Sequence, residues 1–173
     1  MEPRREFKVL LVGDGGVGKS CYIKRMKERK FSKKYKVTVA VEVEEMKFET
    51  SYGEITFNFW NVAGQWKFGN PRQHFLDADA AIIMYSTDSR VTYKNVKTWY
   101  DEIVDMCGKI PMVVVGNKVD IPDREVNSDQ IASYQNLDLK CQEMSVKSWY
   151  NWEEPVLEIM RLLTGDTSIT LIA

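Results

Sequence analysis

Residues 13–20 read Gly13-Asp14-Gly15-Gly16-Val17-Gly18-Lys19-Ser20, behind the apolar run FKVLLV (Phe7 to Val12) and ahead of a segment with helical composition. The form is GxxxxGKS, and each position has a physical reason. Glycines at Gly13, Gly15, Gly16 and Gly18 let successive backbone N–H groups turn inward around a polyphosphate, which Cβ atoms would obstruct. Lys19 adds a point charge at the β and γ phosphates. The helix that starts there directs the positive end of its dipole at the same spot, and Ser20 offers a hydroxyl to a magnesium ion. Strand, loop and helix in that order separate this motif from an ordinary Gly-rich turn.

The chain around the loop has 173 residues, the size of one domain, so 1–173 is read as a single unit. With 24 basic and 25 acidic residues the formal net charge is -1, and no bulk electrostatic argument favours nucleic acid or an anionic membrane. Cys21, Cys107 and Cys141 are an odd number at wide spacing, which suits a reducing compartment. The apolar run behind the basic N-terminal residues ends in the phosphate loop and reads as a strand, not a signal peptide. No apolar stretch approaches the ~20 residues that span a bilayer. Glu2 after Met1 and the closing SITLIA fit neither myristoylation nor prenylation, so no membrane anchor is expected.

Along the chain, Cys21 to Phe31 reads as one helix ending near Ser32, and the basic SKKYKV (Ser32 to Val37) as a mobile connection. Val39, Val41 and Val43 alternate with polar residues, but Met46 and Phe48 fall out of phase, which predicts a bulge or a change of face. Ile55, Phe57 and Phe59 alternate again after a turn at Ser51 to Glu54, so residues 39–60 read as a long hairpin. Ala80 to Tyr85 and Met112 to Val115 are short apolar runs suited to strands covered on both faces. Between them the spacing of Val96, Trp99, Ile103 and Met106 predicts one helix over 91–107. A short helix near Ser128 to Tyr134, a weak strand near Leu139 to Met144 and a last helix from Trp152 to Leu163, ended by Gly165, complete the pattern. Such alternation predicts an α/β fold, a mostly parallel sheet with helices on both faces and the ligand at the carboxyl ends of the strands.

GNKVD (Gly116 to Asp120) follows a buried strand and narrows the ligand. The Asp120 carboxylate matches adjacent ring N–H and exocyclic amine donors, which guanine presents and adenine does not. Asn117 would brace the loop and the Lys118 stem would cover the base.

With both motifs in hand the chain resembles the small GTPases, and among them most the Ran family, from about Phe7 to Asp166. The likeness is closest in SRVTYKNV (Ser89 to Val96), VEV (Val41 to Val43), AIIM (Ala81 to Met84) and GNKVDI (Gly116 to Ile121). The resemblance implies a G domain with a six-stranded sheet, one edge strand antiparallel, binding GTP or GDP with magnesium and hydrolysing GTP. It implies nucleotide contacts from Gly13, Asp14, Gly15, Gly16, Val17, Gly18, Lys19, Ser20 and Cys21, from Gly64, from Asn117, Lys118 and Asp120, and from Ser145, Val146 and Lys147. Thr38 corresponds to the first-switch threonine that reaches magnesium, and Gln65, within WNVAGQ, to the glutamine that orients the attacking water; Lys19, Thr38 and Gln65 are thus the catalytic set. Metal would be held by Ser20, Thr38 and, through water, Asn61. Nuclear transport receptors, an exchange factor and a GTPase-activating protein are the implied partners, for a monomer shared between nucleus and cytoplasm.

Two features depart from that pattern. Where the family has DTAGQ this chain has Asn61-Val62-Ala63-Gly64-Gln65, which loses a charge near the metal worth at most several kcal/mol at ~4–5 Å and an effective dielectric of ~20. Weaker magnesium binding and faster nucleotide exchange are the expectation, and Val62 removes a hydroxyl. The sequence closes on SITLIA without the acidic run a Ran-type tail would bring, so no such tail is expected to act here, and the stretch that would carry its basic counterpart reads Ala132-Ser133-Tyr134-Gln135. These departures also admit a nucleotide-holding but hydrolysis-impaired mimic that occupies the same partners. A P-loop nucleoside kinase would need an Arg-rich lid, which the chain does not show, and NKVD argues against it.

Overall fold

The computed structural model describes residues 3–28, 41–64, 71–127, 137 and 139–172. Strand β1 (Glu6–Val12) runs into the phosphate loop, and helix α1 (Lys19–Glu28) leaves it. A hairpin follows, β2 (Val41–Thr50) and β3 (Gly53–Val62), then a 3-10 turn at Pro71–Phe75 and β4 (Ala80–Ser86). Helices α2 (Arg90–Lys94) and α3 (Val96–Cys107), strand β5 (Met112–Asn117), strand β6 (Lys140–Glu143) and helix α4 (Glu153–Thr164) complete the described chain.

The sheet order is β2-β3-β1-β4-β5-β6, with β2 antiparallel to β3 and every other pairing parallel. Near-continuous apolar runs in β1, β4 and β5 are explained by two cores, one on each face of the sheet. Phe7, Val9 and Leu11 pack with Tyr22 and Ile23 of α1 and with Val156, Ile159 and Met160 of α4. Leu10 and Val12 pack on the other face with Val96, Trp99 and Ile103 of α3 and with Phe75. The strand order switches sense at β1, which lies between β3 and β4 and is parallel to both, so the loop after β1 opens at the crevice where α/β sheets bind ligands. Asn117 ends β5, Asn61 lies one residue from the end of β3, and Ser145 follows β6, all at that same edge.

Of the two readings of β2, a bulge or a change of face, the change of face holds: the register is unbroken from Val41 opposite Val62 to Thr50 opposite Gly53. The out-of-phase apolar residues reflect different cover at the two ends of β2. Val41 packs against the α3 core, Met46 and Phe48 against the α1/α4 core, and Val43 is left 51% exposed. One expectation needs correction: the single helix expected over 91–107 is interrupted at Asn95, which caps α2 and precedes α3 with helical backbone angles (φ -76, ψ -9). Its side chain is drawn to the phosphate loop. The short helix expected near Ser128 to Tyr134 lies outside the described residues, as does all of SKKYKV.

Helix α4 carries Glu153 and Glu154 in its first turn, where the dipole favours them, and ends at Gly165 in the left-handed region (φ 77). Beyond it the chain returns to the outer edge of β2: Ser51 N–H donates to Thr170 O (3.0 Å) and Ile172 N–H to Glu49 O (2.8 Å). Among the described residues no helix is long and apolar enough to cross a membrane.

Phe57 sits at the centre of an edge-to-face aromatic group, with ring centroids 6.2 Å from Phe7, 5.8 Å from Phe48 and 5.8 Å from Phe59. Phe57→Ala is expected to lower unfolding stability by about 3–5 kcal/mol in urea titrations. A loss below ~1 kcal/mol would show that this group does not hold the hairpin to the sheet.

Candidate functional site

The phosphate loop is closed on itself by Lys19. Its ammonium is 5% exposed and donates to Gly13 O (2.6 Å) and Asp14 O (2.8 Å). Burial pushes its pKa down to about 8, and the nearby Asp14 carboxylate opposes that shift. Asp14 itself is held by α3: Asn95 Nδ2 donates to one oxygen (2.6 Å) and Trp99 Nε1 to the other (3.0 Å). That pair engages the negative charge within the loop and explains the break at Asn95. Asp14, Asn95, Trp99 and Gly64 line an open pocket of about 300 Å³ beside the loop.

The base-recognition segments converge on the loop through Asn117. Its Nδ2 donates to Val17 O (2.8 Å) and its Oδ1 accepts from Val146 N–H (3.0 Å). Gly18 has to be glycine here: its φ is 109°, and a Cβ would stand 2.3 Å from Asn117 Nδ2. Lys118, also left-handed (φ 70), sends its ammonium to Gly16 O (2.9 Å). Ser145 Oγ donates to Asp120 Oδ1 (2.7 Å) and accepts from Ser148 N–H (3.0 Å), while Asp120 stays exposed to receive a base. Val146 N–H already serves Asn117, so a base carbonyl would share that donor. Lys147 is exposed beside it.

Two residues with no role in the sequence reading brace this corner. Arg25, in the last turn of α1, donates from one guanidinium nitrogen to Val146 O (2.6 Å) and Lys147 O (2.5 Å), and lies 4.8 Å over the Trp149 ring. Trp149 stacks on Trp152 at 4.6 Å and 8°. Trp149 has φ 65, an uncommon conformation for a bulky side chain, and the stack and the cation hold it there. The unusual Trp in SVKSW was the available signal for this brace; nothing local marked Arg25 among the other basic residues of α1.

Beyond β3, Gly64 lies directly on the phosphate loop, where a Cβ would meet Gly15 N at 2.1 Å. Val62 is fully buried with Leu10, Val12 and Phe75, so packing accounts for a branched apolar residue there. Asn61 is 2% exposed; its Nδ2 donates to Ser20 Oγ (2.8 Å) and its Oδ1 has no partner among the described residues. Thr38 and Gln65 lie outside the described residues. The hydroxyl of Ser20 and the buried oxygen of Asn61 are hard donors of the kind magnesium takes, but both are neutral, so they admit the ion without the charge that would hold it tightly.

Comparison with protein-family models matches the Ras family over residues 8–164, a span that contains every residue of the site. The chain belongs to the Ras family. Domains of this family bind GTP and GDP, typically with magnesium, act as switches, and engage regulators and effectors. The Ras-family fold accounts for the six-stranded sheet, five strands parallel and one antiparallel, and for the loops gathered at its carboxyl edge.

Bound phosphates should restore the ordinary pKa of Lys19, so binding above about pH 8 requires proton uptake. GDP affinity should then be insensitive to Lys19 at about pH 7–7.5 and fall by up to about tenfold per unit from pH ~8.5 to ~9.5 in calorimetric titrations. A flat profile would mean that Lys19 stays fully charged in the free protein. Arg25→Met should speed release of fluorescent GDP by about tenfold or more, since each ~1.4 kcal/mol of lost charged hydrogen bonding is a factor of ten. Unchanged release would reduce Arg25 to surface packing.

Proposed function

We propose that this chain is a Ran-like guanine-nucleotide switch that binds GTP and GDP, hydrolyses GTP and serves nucleocytoplasmic transport. The observation that carries the nucleotide reading is the Asn117 bridge, which brings the phosphate loop and the base loops into one site. The Ran-like part rests on the likeness of SRVTYKNV, VEV, AIIM and GNKVDI, and the proposed location that goes with it is the nucleus and cytoplasm.

In the proposed mechanism the loop N–H groups and Lys19 hold the polyphosphate, with the Lys19 ammonium moving from Gly13 O and Asp14 O to phosphate oxygens. Asp120 reads the guanine donors while Ser145 orients its carboxylate. Ser20, Thr38 and Asn61 would hold a magnesium ion, which would supply charge neutralisation for the polyphosphate. Gln65 orients the attacking water, and the Gly64 N–H senses the γ-phosphate, so Thr38 and the Gly64-Gln65 segment form the switch. An exchange factor, a GTPase-activating protein and nuclear transport receptors are the proposed partners, and the protein acts as a monomer.

Asp120→Ala should weaken GDP binding by about a hundredfold and remove the preference for guanine over adenine nucleotides, read by competition titration. Equal losses for a guanine and an adenine nucleotide would mean Asp120 does not read the base. A second reading, a nucleotide-bound mimic impaired in hydrolysis, is favoured by the Asn61 contact to Ser20. Single-turnover GTP hydrolysis with and without an activating protein separates the two, and ordinary activated turnover eliminates the mimic.

A further inference from the structure

We infer that the Asn61 carboxamide anchors Ser20 in place of a tightly held divalent cation, so that this chain retains guanine nucleotide with little dependence on magnesium. The inference rests on the guanine-nucleotide reading above and specifies how that same site is regulated.

Ser20 lies in the first turn of α1, and its hydroxyl accepts from Asn61 Nδ2 at 2.8 Å. Asn61 cannot readily withdraw. Its backbone pairs with Leu11 of β1 on one side and Glu42 of β2 on the other, and Val62 beside it is wholly buried. The amide therefore presents the positive end of its dipole to the oxygen that a cation would use. A carboxylate at this position would present full negative charge to the ion or to its bound water; the carboxamide repels a cation with its N–H and attracts it only through a neutral oxygen. Asn61 Oδ1, buried and without a partner among the described residues, can accept a water proton but carries no charge to hold a divalent ion.

The other nucleotide-holding groups owe nothing to a metal. Lys19 is a buried cation already aimed into the loop, and the Asn117, Lys118 and Ser145–Asp120 contacts fix the base side without it. The Asn61–Ser20 bond supplies a metal-free hold on the first turn of α1, where the metal would otherwise act. Metal removal then leaves nucleotide release nearly unchanged, and the balance of GTP and GDP on the protein follows their concentrations rather than access to the ion.

The test is release of fluorescent GDP from the full chain, chased with unlabelled GDP, in excess magnesium and in excess EDTA, alongside Asn61→Asp and Asn61→Ala. EDTA should speed release from the parent by no more than about threefold, whereas Asn61→Asp should gain a response of about thirtyfold or more, with a magnesium-dependent rise in melting temperature that the parent lacks. Asn61→Ala, which removes the anchor, should release nucleotide about tenfold faster in EDTA than the parent does. A parent response of about thirtyfold or more would overturn the inference on its own, whether or not either variant folds. So would a folded Asn61→Asp that stays insensitive to EDTA, or an Asn61→Ala rate equal to that of the parent. Failure of the parent to retain labelled GDP under either condition would instead overturn the guanine-nucleotide reading itself.

Discussion

One carboxamide holds the site together. Asn117 is 3% exposed at the end of β5, and it donates to the phosphate loop at Val17 O while accepting from the base loop at Val146 N–H. Those two loops follow β1 and β6, which are not neighbours in the sheet. Only a side chain with a donor and an acceptor a few ångströms apart can serve both, which rules out a carboxylate or an apolar residue of similar size. The absence of a side chain at Gly18 follows from the same contact, because the Asn117 amide occupies the space a Cβ would need.

Helix α1 extends that bridge along its own length. Lys19 and Ser20 in its first turn face the phosphate end, and Arg25, about 9 Å further along the axis at ~1.5 Å per residue, grips the carbonyls of Val146 and Lys147. Tyr22, between them, donates its hydroxyl to Trp152 O at the start of α4 (2.5 Å). A short, well-packed helix with polar ends in two parts of one site couples them mechanically, since neither end can shift without disturbing the other. Trp149 in its left-handed conformation is the cost of that geometry, and the stack on Trp152 offsets it.

The strands and the phosphate loop were legible in the sequence because their signals are local: runs of Val and Ile covered on both faces, and a glycine spacing tied to one ligand chemistry. The base loop was legible for the same reason, as GNKVD follows directly from β5. What could not be read depends on partners distant in the chain. Asn95 interrupts a helix because Asp14, 81 residues away, accepts from its side chain. Met46 and Phe48 change face because different helices cover the two ends of β2, a fact about α1, α3 and α4 rather than about β2. Arg25 resembles its basic neighbours until Val146 and Lys147 are folded against it. Asn61 was recognised as a lost charge, but its donation to Ser20 required the strand and the helix to be set side by side.

The return of the chain past α4 to the outer edge of β2 bears on how this sheet behaves toward other molecules. An open edge strand invites further strands to pair with it. Among the described residues the tail meets this edge at Glu49 to Ser51, where Thr170 and Ile172 pair with it. The remainder of β2 alternates Glu42, Glu44, Glu45, Lys47 and Glu49 around its apolar residues. A foreign strand laid along Val41 to Glu45 would bring its backbone against a row of carboxylates, while the opposite edge, β6, is four residues long and offers little length for pairing. The sheet is thus guarded against growth by charge at one margin and by brevity at the other.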